Sequence, residues 1–119
     1  MIFNFGSINI DYTYRVPYFV RPGETLESGD YNIGLGGKGV NQSLAIARAK
    51  GRVSHWGRVS SIDAWVTSEL ESAGVGVKDI ELTPEPSGHA IIQIDALGEN
   101  AILLFSGANH GFTREKMTA

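Results

Sequence analysis

The chain reads as an α/β fold: a parallel strand–helix–strand core, with β-rich segments set apart from it. Three observations predict this. A short apolar run, Met1-Ile2-Phe3-Asn4-Phe5-Gly6-Ser7-Ile8, opens the chain. A glycine cluster at Gly34, Gly36, Gly37 and Gly39 leads straight into a helical segment over residues 40–50, and a second apolar run over 53–59 follows. Two further β-rich runs, 89–95 and 101–105, flank the turn sequence Ala96-Leu97-Gly98-Glu99-Asn100.

The opening run has the composition of a buried parallel strand. It leaves Asn9 and Asp11 as polar side chains at its C-terminal end. Residues 12–16 alternate and predict a more exposed strand. Pro17 and Arg21-Pro22-Gly23 mark a turn, and residues 25–33 are expected to be extended up to the glycines. The helix over 40–50 is expected to end with Gly51 at C′. Strand 53–59 then completes a βαβ unit, whose crossover is expected to be right-handed. Asp63 is the expected N-cap of a second helix. Val66, Leu70 and Ala73 share one face of it, and Gly74 ends it. The excursion between the first strand and the first helix is too long for an ordinary connection and must carry structure of its own. Runs 89–95 and 101–105 predict a hairpin, closed by Gly107-Ala108-Asn109-His110-Gly111. Residues 112–116 are expected to start a helix with Thr113 as N-cap.

At 119 residues the chain is one domain at most. With 42% hydrophobic and 19% charged residues, its composition is that of a soluble globular protein. A net charge of −3 without any basic run argues against nucleic acid or a membrane surface as partner. No cysteine is present, which excludes thiolate metal sites and fits a cytoplasmic location. No segment has the layout of a signal peptide or the length of a membrane span. His55, His89 and His110 show no metal spacing and are expected to be structural or exposed.

The glycine cluster admits three readings. A phosphate-binding P-loop needs a first glycine five residues before Gly37 and a hydroxyl residue after Lys38. The chain has Asn32 and Gly39 there. A dinucleotide fingerprint is met formally by Gly34, Gly36 and Gly39, but it should follow the first strand directly and be followed by an acidic residue at the end of the next strand. Asp63 lies beyond that strand. The third reading is a polar, hydroxyl-bearing ligand at a helix start. Asp11 can accept from two hydroxyls, Asn9 and Asn41 can each donate and accept, Lys38 supplies a cationic donor, and Gly37 and Gly39 can lend backbone N–H groups. Each also has a plain structural alternative: a turn cap for Asp11, buried backbone partners for Asn9, a local cap for Asn41, a solvated charge for Lys38.

Gly36-Gly37-Lys38-Gly39-Val40-Asn41-Gln42 is similar to the N-terminal signature of the ribokinase-like (PfkB) carbohydrate kinases, most of all to ribokinases, which read Gly-Gly-Lys-Gly-Ala-Asn-Gln. Gly6-Ser7-Ile8-Asn9-Ile10-Asp11 resembles that family's first strand with its sugar-binding Asn and Asp. Pro22-Gly23-Glu24-Thr25 resembles the turn into the family's lid. Gly98-Glu99-Asn100 with Gly107-Ala108-Asn109 resembles the lid hairpin and its exit. The order holds over essentially the whole chain. The resemblance implies the N-terminal part of a ribokinase-like three-layer fold, with segments 12–33 and 88–106 forming a small β-sheet lid. It implies that Asn9, Asp11, Gly37, Lys38 and Asn41 contact the sugar, with Gly39 beside them. It implies a sugar substrate, ribose or one like it phosphorylated at a primary hydroxyl, and a homodimer formed through the lid.

The family's catalytic half is not matched. Its Gly-Ala-Gly-Asp motif, which supplies the anion hole and the catalytic aspartate, does not occur here. No catalytic residue is therefore expected in this chain. ATP and Mg2+ are expected to be held mainly by residues outside it, and the chain is expected to be an inactive fragment of a longer kinase. The alternative is a non-catalytic sugar-binding or lid-mediated dimerisation module. Ser60 and Val66 also replace glycines the family usually has after its second strand, which puts that loop's geometry in question.

Overall fold

The computed structural model describes residues 1–110; the helix start expected over 112–116, with Thr113 as its cap, lies outside the described residues. Eight strands and two α-helices form two sheets. The first holds β1 (Ile2–Phe5), β4 (Val53–Ser60), β5 (Val75–Gly76) and β6 (Ile80–Thr83). β4 is its centre: β1 lies parallel along one edge, and β5 and β6 share the other, both parallel. Helices α1 (Lys38–Arg48) and α2 (Trp65–Ser72) cover one face. Strand alternation turns Val53, His55, Gly57 and Val59 toward that face. Val53 and Val59 meet Val40 of α1 and Val66 and Leu70 of α2 in one core cluster, joined by Ile8, Ile10, Val75 and Ile80.

The second sheet has the order β3-β2-β7-β8. β2 (Asn9–Arg15) pairs antiparallel with β3 (Asp30–Gly36) and parallel with β7 (Gly88–Ile94), which forms a hairpin with β8 (Asn100–Phe105). The long excursion thus forms half of a sheet, and the late hairpin forms the other half. This sheet extends the molecule. The radius of gyration is 16.1 Å, with extents of 48 × 32 × 20 Å, against about 13.5 Å for a compact domain of this length.

Local chemistry explains the turns. Pro22 and Gly23 occupy the centre of a turn closed by the Glu24 N–H on the Arg21 carbonyl at 3.0 Å, and Gly23 has φ +76°, as a type II turn requires. The β7–β8 turn is fastened by Asp95, whose Oδ1 accepts from the N–H groups of Leu97 (2.9 Å) and Glu99 (3.0 Å).

Several expectations change. The opening strand is short and largely exposed: Phe3 is 68% and Phe5 47% accessible. Among the described residues β1 has a partner on one edge only, and Phe3 and Phe5 project from the face opposite the helices. Asn9 and Asp11 do not end that strand but begin β2, and the second sheet runs from Asn9 and through Gly36, wider than 12–33. Asp63 does not cap α2. It closes a 3-10 turn (Ser61–Asp63) and accepts from Ser87 Oγ at 2.7 Å, while Ala64 stands at the N-cap. Helix α1 ends one residue earlier than expected. Lys50 is the left-handed C′ residue (φ 68°), with its N–H on Ala47 O and the Gly51 N–H on Ile46 O, a Schellman closure. Gly51 is glycine for space, since a Cβ there would stand 2.7 Å from Ile46 Cγ2. The loop with Ser60 in a family glycine position is well tied. Ser60 Oγ accepts from the Ile62 N–H, and the Ser60 N–H donates to Ser87 Oγ at 2.8 Å.

Candidate functional site

The two sheets and α1 converge on a cavity of about 440 Å3. Phe5, Gly6, Ser7 and Asn9 reach it from the β1–β2 junction, Lys38 from the start of α1, Leu104 and Ser106 from the end of β8, and Asn109 and His110 from the 3-10 turn Gly107–His110.

The junction is built by close backbone approach. Val40 donates its N–H to Ser7 O at 3.1 Å. Gly6 and Gly39 touch: a Cβ on Gly39 would lie 2.5 Å from Ser7 N and 2.6 Å from Gly6 C. Asn4 Nδ2 donates to Gly39 O (2.8 Å) and Ser43 Oγ (2.9 Å). Ser43 Oγ in turn lies 2.8 Å from His55 Nδ1, and His55 Nε2 lies 3.0 Å from Gly6 O. Because Gly6 O only accepts, Nε2 carries the proton and the Ser43 hydroxyl donates to Nδ1. Burial pushes the His55 pKa below its ordinary value, opposed by the Gly6 hydrogen bond. His55 is thus a neutral structural residue, as expected, and it fixes the first turn of α1 against β1 and β4.

The glycines of the cluster serve mostly as close contacts. Only Gly37 among them has a positive φ, +98°, as the N-cap of α1. Gly34 and Gly36 are strand residues. Gly36 leaves room for the Asp11 carboxyl, whose Oδ2 would stand 2.3 Å from a Cβ at position 36. At the helix start the Val40 N–H is already spent on Ser7, and Gly39, one of the two residues expected to lend an N–H, is buried.

The expected site residues fall into three groups. Asn9 and Lys38 line the cavity. Asp11 and Gly37 adjoin it: Asp11 follows Asn9 on the same face of β2, and a Cβ on Gly37 would meet Ser7 O and Asn9 N at 3.0 and 3.2 Å. Gly39 is buried beneath it, and Asn41 is exposed on α1 outside the lining set, its N–H bonded to Gly37 O. Strand alternation separates Asn9, Asp11 and Thr13 from Ile8, Ile10 and Tyr12, which turn to the core. Burial raises the Asp11 pKa. Among the described residues no hydrogen bond or ion pair engages its carboxylate, and none engages the Lys38 ammonium. Ser7, Ser106 and Asn109 add further polar groups to the lining. Asn109 donates from Nδ2 to Asn9 Oδ1 at 2.8 Å and accepts from the Ile8 N–H at 2.9 Å. Asn109 and Ser7 lay within motifs singled out in the sequence, Gly107-Ala108-Asn109 and Gly6-Ser7-Ile8-Asn9-Ile10-Asp11.

Arg58 ties the site to the first sheet. It is almost fully buried, and it donates to Glu81 (3.1 Å), Glu85 (2.8 Å), Thr83 Oγ1 (3.1 Å) and Ala108 O (3.1 Å). The Glu85 hydrogen bond first, and Glu81 after it, raise its pKa against the opposing effect of burial. Among the described residues no group of three or more His, Asp or Glu side chains could hold a metal ion.

Residues 1–119 match the profile of the pfkB family carbohydrate kinases. Ribokinase of Haemophilus influenzae is 40% identical over 107 residues, which cover 87% of this chain and 35% of that protein. Deoxyribokinase of Salmonella typhi is 38% identical over 104 residues, covering 84% of this chain and 33% of that protein. The crystal structure of ribokinase from Cryptococcus neoformans in complex with ADP superposes with a TM-score of 0.85 at 43% identity, over 95% of this chain and 37% of that one. The chain thus spans about a third of the length of the curated relatives it matches. It belongs to the pfkB family of carbohydrate kinases and has the fold of the N-terminal portion of a ribokinase.

Proposed function

We propose that this chain is the sugar-binding portion of an ATP-dependent carbohydrate kinase that phosphorylates ribose, or a similar sugar, at a primary hydroxyl. The observation that carries the reading is the pair Asn9 and Asp11 on one strand face. The Asp11 carboxylate lies against Gly36 and has no partner among the described residues, and Lys38 lines the cavity together with Asn9. A half-buried carboxylate without a donor is costly unless a ligand supplies one. Sugar hydroxyls do so, and the neighbouring carboxamide and ammonium groups give the mixed donors and acceptors that polyols require. The names of the relatives, ribokinase and deoxyribokinase, support a pentose.

The second sheet serves as a lid over the sugar, excluding water that would otherwise accept the phosphoryl group. ATP and Mg2+ are bound mainly by residues outside this chain, the 119-residue chain alone is inactive, and the enzyme works in the cytoplasm. Calorimetric titration with D-ribose tests the core of this. Binding is expected for the chain and should fall at least tenfold for Asp11→Ala, the scale of a lost hydrogen bond to a charged group. Equal affinities would remove Asp11 from the site.

A second reading, dimerisation through the lid, is favoured by the outer strand of the second sheet. Ile102, Leu103, Leu104 and Phe105 of β8 are each more than half exposed, an apolar edge of the kind that pairs with another chain. Sedimentation equilibrium decides it, and a monomer at all concentrations would exclude it.

A further inference from the structure

The turn after β8 holds an asparagine whose amide is committed at both ends to the segment opening β2. Asn109 Oδ1 accepts from the Ile8 N–H, and Asn109 Nδ2 donates to Asn9 Oδ1. The turn carrying it is rigidly seated. Ala108 is fully buried, its N–H donates to Pro86 O at 2.8 Å, and its carbonyl accepts from Arg58. Gly107 has φ +50°, and a Cβ there would stand 2.4 Å from Pro86 O. Gly88, the β7 neighbour of Asn9, leaves the space that the amide fills: a Cβ there would lie 2.1 Å from Asn109 Nδ2.

These contacts decide which way two carboxamides face. The Ile8 N–H can only bond an acceptor, so it fixes Oδ1 of Asn109 toward itself. Nδ2 of Asn109 must then point at Asn9, where it needs an oxygen. A flipped Asn9 would set two NH2 groups against each other. Asn9 Oδ1 is therefore turned to Asn109, and among the described residues Asn9 Nδ2 has no hydrogen-bond acceptor.

We propose that Asn109 is a positioning residue that locks the Asn9 carboxamide so that it offers a donor, not an acceptor, to a ligand hydroxyl in the cavity. The inference rests on the sugar-binding reading. It adds a division of labour: Asn9 donates, Asp11 two residues along accepts, and the exit of the lid hairpin sets the polarity of the first. A ligand oxygen facing Asn9 is thus an acceptor and keeps its own proton for another group.

Asn109→Asp provides the test. It keeps an acceptor for the Ile8 N–H and replaces the donor by a second acceptor, so Asn9 must turn its NH2 to the introduced carboxylate and present Oδ1 to the cavity. Side-chain amide NMR without sugar is expected to show slowed hydrogen exchange and a shifted Asn9 NH2 signal in the variant. An unchanged signal would overturn the proposal. Titration with D-ribose and its single-deoxy analogues is the second arm. Affinity for ribose is expected to fall about tenfold in the variant, and the difference between variant and wild type should vanish for the one analogue lacking the hydroxyl that Asn9 contacts. An equal loss across all analogues would show a merely structural role. If Asn109→Asp does not fold, Asn9→Asp carries the test. It preserves the bond from Asn109 and presents a carboxylate oxygen, so its loss must also vanish for one analogue, and full retention of affinity would overturn the proposal. Failure of the wild-type chain to bind any of these sugars would sink the sugar reading instead, leaving the NMR arm to decide the positioning role.

Discussion

His55 and Asp11 are the two groups whose burial shifts their titration in ways that stability and binding can report. Protonation of His55 is disfavoured in the folded state, so its folded pKa lies below the ordinary 6.5. The unfolded chain then binds more protons, and stability falls as pH drops from 6.5 through the folded value. Melting temperatures between pH 8 and 5 should therefore fall more steeply for the wild type than for His55→Gln, which cannot titrate; parallel curves would reject this. Asp11 has the opposite sign. Its folded pKa lies above the ordinary 3.8, so its favourable contribution is present below 3.8 and disappears as pH rises through the folded value. Asp11→Asn should consequently melt slightly higher than the wild type at pH 7 while losing ribose affinity. A variant that loses both would mark Asp11 as structural. The expectation that Asp11 matters was legible from its residue type and neighbours. That it has no protein partner among the described residues was not, because this depends on Gly36 arriving from a different strand.

The glycines separate by element, and substitution by alanine should sort them. On α1, Gly39→Ala gains helix propensity of about 0.5–1 kcal/mol but drives a methyl into the Gly6–Ser7 backbone. Backbone cannot yield cheaply, so a net loss of about 1–3 kcal/mol is expected by chemical denaturation. On β3, a Cβ on Gly34 meets nothing within 4 Å, and Gly34→Ala should stay within about 0.5 kcal/mol. In Gly36→Ala the atoms nearest the added methyl belong to the movable Asp11 carboxylate. This variant should fold normally yet bind ribose more weakly, and unchanged binding would separate Asp11 from the site. Elements with a long pattern of their own were readable: α1, β4 and the β7–β8 hairpin. β5 and β6 escaped notice because two and four residues carry no periodicity. The start of α2 was misplaced because the Asp63 carboxylate is diverted to Ser87, which sequence places 24 residues away.

At the scale of the whole molecule, apolar side chains concentrate on β1 and β8. Met1 and Phe3 stand at one end of the first sheet, and Leu103 at the outer strand of the second, each more than 60% exposed. In the proposed dimer Leu103 lies at the contact, paired across the hairpin with Ile91. Leu103→Asp should shift the chain toward monomer in sedimentation equilibrium and leave ribose affinity within about twofold, since one exposed surface charge alters little at a separate site. An unchanged dimer would move the interface elsewhere. Among the described residues no helix is long and apolar enough to cross a membrane.

The sequence by itself determined the α/β class, the order of the main elements and the family, because hydrophobic period, turn chemistry and the Gly-Gly-Lys-Gly-Val-Asn-Gln signature are local properties. It also named Asn9, Asp11 and Lys38, whose side-chain chemistry suits a polyol. Tertiary structure alone decided which polar groups are already spent. Asn41 stays outside the cavity lining, Gly39 packs against Gly6, and Asn9 is held by a residue a hundred positions later. Those outcomes depend on strand register and backbone approach between distant segments, which no local pattern encodes.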